Sequence, residues 1–279
     1  MSICKICKKD LKNESNPFSE KICDKCLQRT SNNIDINYLD YLNSPHYKPN
    51  KFIFHKQSHE RINNLYCGIE LEIQGSYPNQ FLHENCNNPF IYYKKDCSLN
   101  SMGIEIVSHP ATLKYHLNHW KNIFISLNKN KLVDTDNCGL HFHFNKDYFS
   151  KRQIASIDYF INNSKAIIEA IGGRRTDYNY FEIIHKKFDS YGKTKEQYID
   201  PFGNIRFKNF GKYLACNLNN KETIELRFCK STYNYEVFLK RLKYVFYIIE
   251  FCIKFDTMAF AYTDSIQTFF ERFIENKTI

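Results

Sequence analysis

Gly68-Ile69-Glu70-Leu71-Glu72-Ile73, Leu140-His141-Phe142-His143-Phe144 and Ile224-Glu225-Leu226-Arg227-Phe228 share one pattern, a large apolar side chain alternating with a charged or imidazole one. A period of two marks a strand with one face in a core. The other face here is not the Ser, Thr and Lys of a solvated sheet but Glu, Glu, His, His, Glu and Arg. If the three strands are neighbours, one sheet carries carboxylates and imidazoles in rows. That arrangement holds divalent metal, and an Arg beside it points to phosphate chemistry.

The flanking segments give an α+β reading. A strand is expected over Cys67 to Gln74, and a hairpin over Tyr92 to Asp96 and Gly103 to Val107. Leu113, Leu117, Trp120, Phe124 and Leu127 recur at helical spacing after Pro110, which predicts a helix over Thr112 to Leu127. Gly139 to Asn145 reads as a strand. Ser150 is placed to cap a helix running through Ile171, with Gly172-Gly173 ending it. A second hairpin is expected at Tyr213 to Leu218 and Thr223 to Phe228, around Asn219-Asn220. A long helix follows over Tyr235 to Phe255 and a short one over Ser265 to Ile274. Frequent hairpins among helices predict a largely antiparallel sheet.

Cys4-x-x-Cys7 and Cys23-x-x-Cys26 supply four thiolates for a tetrahedral Zn²⁺. About thirty residues have too little core to fold alone, so the ion would supply the folding energy. A closed four-thiolate site keeps no open position and is structural. The division expected is a zinc ribbon at 1–30, an extended polar connector with Pro45 and Pro49 at 31–64, and a catalytic domain at 65–279.

The chain has 279 residues, 43% of them hydrophobic, enough for a large core. Its abundance of Lys, Asn, Ile and Tyr, with only 9 Gly, reads as an AT-rich coding genome such as a phage's. The net charge of +9 fits a Lys-rich surface or an anionic partner. Met1-Ser2-Ile3-Cys4-Lys5 lacks an apolar signal core, and Val245 to Phe255 is too short and too charged to span a bilayer. With 11 cysteines and no secretion signal, a reducing cytoplasmic setting is expected, including that of a phage host, with no membrane partner.

Glu70 and Glu72 project from one strand face about 7 Å apart, a spacing that suits hard cations. An isolated Glu-x-Glu is usually a solvated face; the recurrence of the pattern is what argues for a site. His141 and His143 look away from a core fixed by Leu140, Phe142 and Phe144, and a mixed Glu/His shell suits Mg²⁺ or Mn²⁺. Glu225 and Arg227 divide naturally into a cation ligand and a phosphate clamp. Glu105 adds an outward carboxylate by the same alternation. Arg174, Arg175, Arg206, Lys208 and Lys212 are read in loops, where together they could neutralise triphosphate and an acidic substrate.

The ordered set of motifs resembles the amidoligases, carboxylate–amine ligases of the glutamine synthetase fold, many of them phage-encoded. The set comprises Gly68-Ile-Glu-Leu-Glu, Asp96-x-Ser98 with Gly103-x-Glu105-Ile106-Val107-Ser108-x-Pro110, and Cys138-Gly139-Leu140-His141-x-His143. Arg174-Arg175 with Tyr180 follows, and then Asn217 with Thr223-Ile224-Glu225-x-Arg227. Tyr47-Lys48-Pro49 followed by Phe52 is similar to the lead-in of members that carry an amino-terminal zinc ribbon. The resemblance implies that ATP phosphorylates a carboxylate and an amine displaces the phosphate to give an amide. It implies that Glu70, Glu72, Glu105, His141 and Glu225 hold two or more Mg²⁺ or Mn²⁺ ions and that His143 sits near the nucleotide phosphates. Arg227 would stabilise the transferring phosphoryl group, and Arg175 or Arg174 would meet substrate or phosphate. An ammonium-binding loop is not found in the sequence, so small-molecule, peptide and protein amines all fit as acceptors.

A second reading is a catalytically degenerate adaptor whose ribbon contacts nucleic acid or protein. The +9 charge favours it, and the retained Glu, His and Arg on every outward strand position count against it. A cupin or metal-dependent hydrolase would place His-x-His with further histidines; here carboxylates surround it.

Overall fold

The computed structural model describes residues 53–55, 65–75, 78–85, 87–95, 99, 103–175, 183, 191–199, 205–209, 213–262 and 266–277. The expected ribbon, with Cys4, Cys7, Cys23 and Cys26, lies outside these residues, as do most of the connector and Asp96, Ser98, Tyr180 and Lys212.

The fold is α+β. Strands β1 (Cys67–Gly75), β2 (Ile91–Lys94), β3 (Gly103–Ser108), β4 (Leu132–Val133), β5 (Gly139–Asn145), β8 (Cys216–Asn217) and β9 (Thr223–Lys230) form one seven-stranded sheet. Its order is β2-β3-β1-β5-β9-β8, with β4 pairing the end of β1, and every pairing is antiparallel. β6 (Lys195–Ile199) and β7 (Ile205–Asn209) make a separate two-stranded ribbon. The three alternating segments that decide the fold are therefore adjacent, as β1, β5 and β9.

Alternation then sorts the side chains. Ile69, Leu71, Ile73, Ile104, Ile106, Leu140, Phe142, Phe144, Ile224, Leu226 and Phe228 are fully buried in a single core. Helices α2 (Leu113–Lys129) and α5 (Tyr235–Lys254) bring Trp120, Phe124, Phe238 and Phe246 into the same core. The Trp120 and Phe238 rings lie 4.9 Å apart, and Phe144 meets Phe246 edge-on at 5.3 Å. Thr112 caps α2 by accepting the Tyr115 N–H. His116 ties that helix to β1: Trp120 Nε1–H donates to His116 Nδ1 at 3.0 Å, and Nε2 meets the Cys67 carbonyl at 2.8 Å. Both ring nitrogens are thus used by the neutral form, and burial holds the pKa down to about 3.

Two expectations are corrected. The segment from Ser150 to Ile171 is two helices, α3 (Lys151–Asn163) and α4 (Lys165–Gly172), broken at Ser164. Asn162 and Asn163 turn their side-chain amides back onto the Asp158 and Tyr159 carbonyls, and Ser164 leaves helical geometry at ψ 48°. Short polar side chains compete with the helix's own hydrogen bonds, and here they end it. Arg206 and Lys208 lie in β7, not in a loop.

Other elements match closely. Ser150 and Gln153 form a reciprocal cap at α3, and Gly173 closes α4 in the left-handed region at φ 68°. Helix α1 (Pro78–Asn85) has no strong amphipathic signal; it is held by Phe81 and Leu82, both fully buried. Helix α6 (Ile266–Glu275) buries Phe270 and Phe273. Among the described residues no helix is long and apolar enough to cross a membrane, and Cys67, Cys138, Cys216, Cys229 and Cys252 are buried free thiols.

Candidate metal centre

The face of the sheet opposite the core gathers the predicted acids and imidazoles through strand register. Glu70 pairs with His141 across β1–β5, Glu72 with Glu105 across β1–β3, and His143 with Glu225 across β5–β9. A pair directly opposite in an antiparallel ladder brings its Cβ atoms to about 5 Å, so register alone makes these groups neighbours.

Glu70, His143 and Glu225 each offer one ligand atom, and these atoms lie within 4.8 Å of one another. His143 Nε2 stands 3.2 Å from Glu70 Oε2. His141 Nδ1 is 3.5 Å from Glu70 Oε2, 3.8 Å from Glu225 Oε1 and 3.9 Å from Glu72 Oε1. Both imidazole nitrogens are buried and lack an aligned hydrogen-bond partner. Buried polar atoms are normally satisfied, and two imidazole nitrogens directed at carboxylates make a donor set that a cation could complete. The donor set, oxygen-rich with imidazole, fits Mg²⁺ or Mn²⁺. The His143 ring is oriented from behind by the Thr223 hydroxyl, 3.4 Å from Nδ1.

The remaining groups set the charges. Glu225 is gripped from three sides: Asn217 Nδ2 donates to Oε2 at 2.7 Å, Asn220 Nδ2 to the same oxygen at 3.1 Å, and the Arg227 guanidinium to Oε1. Burial alone would raise the Glu225 carboxyl, but His143 and Arg227 hold it below the usual range. Burial acts against Glu70 in the same way and is overcome by His143, His141 and Lys94, which keep it well below that range. Glu105 goes the other way, pushed up by burial and by the charge of Glu70. Two crowded carboxylates whose pKa values separate behave as one coupled pair. His143 is raised despite its burial, by Glu70 first and Glu225 further. An ion at His143 must displace that proton, so divalent affinity should rise with pH.

Exposure shows which side is open. The side chains of Glu70, His143 and Arg227 are 18%, 19% and 20% exposed, whereas those of Glu72, Glu105, His141 and Glu225 are each 6%. The mouth therefore lies at Glu70, His143 and Arg227. Arg227 shares the outward face of Glu225 by alternation, beside a break in register. Leu140 pairs with Cys229 but Phe142 pairs with Leu226, so Arg227 and Phe228 together face His141. Such a bulge redirects a side chain beside a site. The Tyr213 ring lies 5.9 Å from the Arg227 guanidinium carbon.

Glu72 lies at the inner edge of this cluster: its Oε2 accepts the Gly139 N–H at 2.6 Å while Oε1 faces His141. Not every expected residue joins it. Arg174 is buried and donates to the Asp136 and Cys138 carbonyls, which braces the approach to β5. Arg175 is exposed beyond α4. The sequence reading missed Lys94, whose Nζ lies between Glu70 and Glu105; Asn220 and Thr223 were also missed. No local signal marks Lys94; its place shows only in its pairing with Glu105 across β2–β3.

Gly139 is required for room. A Cβ there would sit 2.4 Å from His141 Nε2. We predict that Gly139→Ala tilts the His141 ring and weakens Mn²⁺ binding by roughly tenfold, in line with losses of supporting contacts around metal sites. Calorimetric titration checks this, and unchanged affinity would show that His141 has slack.

A scan against protein-family models finds no match to this chain, and a search of curated proteins finds no relative.

Proposed function

We propose that this protein is an ATP-dependent carboxylate–amine ligase with a glutamine synthetase-like architecture, of the amidoligase kind. It would form an amide or isopeptide bond through an acyl phosphate. The observation that carries the reading is the meeting of Glu70, His143 and Arg227 at one open mouth on the sheet, with Glu225 buried beneath them. A site for a divalent ion beside a guanidinium suits phosphoryl transfer, where catalysis is largely positioning and charge stabilisation.

Glu70, His143 and Glu225 would hold Mg²⁺ or Mn²⁺, which when bound screens the phosphate oxygens of ATP. The substrate carboxylate oxygen attacks the γ-phosphorus and ADP leaves. The amine nitrogen then attacks the acyl carbon, phosphate leaves, and the nitrogen loses its proton. Arg227 is suited to the equatorial oxygens of the transferring phosphoryl group in the first step and to the oxygens of the departing phosphate in the second. Its charge is anchored because burial, which would lower its pKa, is outweighed by Glu225. Asn217 and Asn220 fix Glu225, so little rearrangement accompanies the transfer. The ribbon at Cys4, Cys7, Cys23 and Cys26 would carry Zn²⁺ and dock a protein or nucleic acid near the substrate.

The test is ADP release by the full-length protein with Mg²⁺ or Mn²⁺, against a panel of acids and amines including amino acids, polyamines and proteins. The expected result is release that needs the metal and rises with an acid–amine pair. Metal binding without nucleotide turnover across the panel, together with salt-sensitive nucleic-acid binding, would favour the adaptor reading instead.

A further inference from the structure

Lys94 projects from β2 onto the acidic face, and its ammonium is close to two carboxylates at once. Nζ lies 3.1 Å from Glu70 Oε1 and 2.9 Å from Glu105 Oε1, and the side chain is 11% exposed. Register fixes this placement, since Lys94 pairs with Glu105 and Glu105 pairs with Glu72. Glu70 is therefore divided, with Oε1 turned to Lys94 and Oε2 to His143 and His141. A gap between the carboxylates of Glu70 and the buried Glu105 is where a second divalent ion would sit, and an ammonium already occupies it.

We infer that Lys94 is a built-in cation that fills the Glu70–Glu105 gap, so that the sheet binds one divalent ion, at Glu70, His143 and Glu225, and not two. This inference rests on the metal-dependent reading of the same site. Charge supports it. Against the carboxylates of Glu70, Glu72, Glu105 and Glu225 stand the cations of Lys94 and Arg227. Even with all four carboxylates ionised the excess is only two negative charges, which one divalent ion cancels and a second would reverse. Geometry supports it independently. His141 Nδ1 and His143 Nε2, two imidazole nitrogens buried on this face without an aligned hydrogen-bond partner, both lie near Glu70 Oε2, the oxygen turned away from Lys94. A divalent ion entering this gap would have to displace an ammonium already paired with both carboxylates.

The experiment is a titration of the full-length protein with Mn²⁺, following the free ion by electron paramagnetic resonance. The cysteine knuckles do not confuse the count, because thiolates select softer ions. One Mn²⁺ per chain is expected for the native protein. Lys94→Met, which keeps the length and removes the charge, is expected to bind two. Lys94→Met with Glu105→Gln is expected to return to one, which assigns the second ion to the vacated gap. Lys94→Gln serves as a second neutral variant, and circular dichroism and a melting curve establish folding for each. Two ions on the native protein, or one on the folded neutral variants, would overturn the inference and leave the ligase reading intact. No binding to any form would overturn both.

Discussion

Glu225→Gln is expected to abolish metal-dependent ATP turnover while leaving the sheet folded. In the proposed ion site Glu225 would contribute an oxygen, and it contacts the Arg227 guanidinium at the mouth, so its loss would remove a ligand and a positioning contact together. The amide keeps an oxygen that can accept from Asn217 and Asn220, which limits the structural damage. Its NH₂ must then face the Arg227 guanidinium, two donors in contact, at a cost of about 1–3 kcal/mol. Loss of supporting partners alone weakens metal sites by about 10–100-fold, and loss of a direct ligand should exceed that. Turnover should fall by at least about 10³-fold with a native far-ultraviolet spectrum, measured by ADP release and circular dichroism. Turnover within a few fold of native would remove Glu225 from the chemistry.

The second large effect is expected for Glu70→Gln. This carboxylate serves two cationic groups, Lys94 through one oxygen and His143 through the other. Neutralising it leaves Lys94 with Glu105 alone and removes the strongest charge that raises His143. Breaking a buried pair by deleting one partner costs about 3–5 kcal/mol. The sign of the pH effect follows. In the metal-free native protein the folded pKa of His143 is raised above 6.5. Its stabilising contribution is therefore full below pH 6.5 and lost as pH rises through the folded value. In Glu70→Gln burial should dominate and lower the His143 pKa, so that acid now destabilises the fold through this group. Ring-nitrogen NMR titration and melting curves across pH 5 to 8 check both statements. An unshifted His143 titration would show that Glu70 does not set its charge.

Strand identity and facing were legible because alternation is strict. Ile69, Leu71, Phe142, Phe144, Ile224 and Leu226 all go to the core, and Glu70, His141, His143 and Glu225 to the other side, as period two requires. Adjacency of β1, β5 and β9 was an assumption at that stage, because strand order depends on long-range pairing that no local pattern encodes. The Arg227 bulge was invisible for a related reason: the segment Leu226-Arg227-Phe228 alternates perfectly, and the extra residue shows only against its partner strand. Division of labour between the histidines was also hidden. His141 and His143 are equivalent in sequence, but His141 is the more deeply buried and His143 stands at the mouth, in the triad with Glu70 and Glu225. Lys94 carries no distinguishing mark in its tyrosine-rich strand. Only the Lys94–Glu105 register turns it into a cation within the acidic face.

The central claim is that a divalent ion binds at Glu70, His143 and Glu225. The most direct measurement is anomalous diffraction from a crystal of the full-length protein grown with Mn²⁺. The account predicts a strong peak within bonding distance, about 2.0–2.3 Å, of Glu70 Oε2, His143 Nε2 and a Glu225 oxygen. Diffraction from a fully loaded crystal with no peak on this face of the sheet, or with the ion held by other residues, would contradict it.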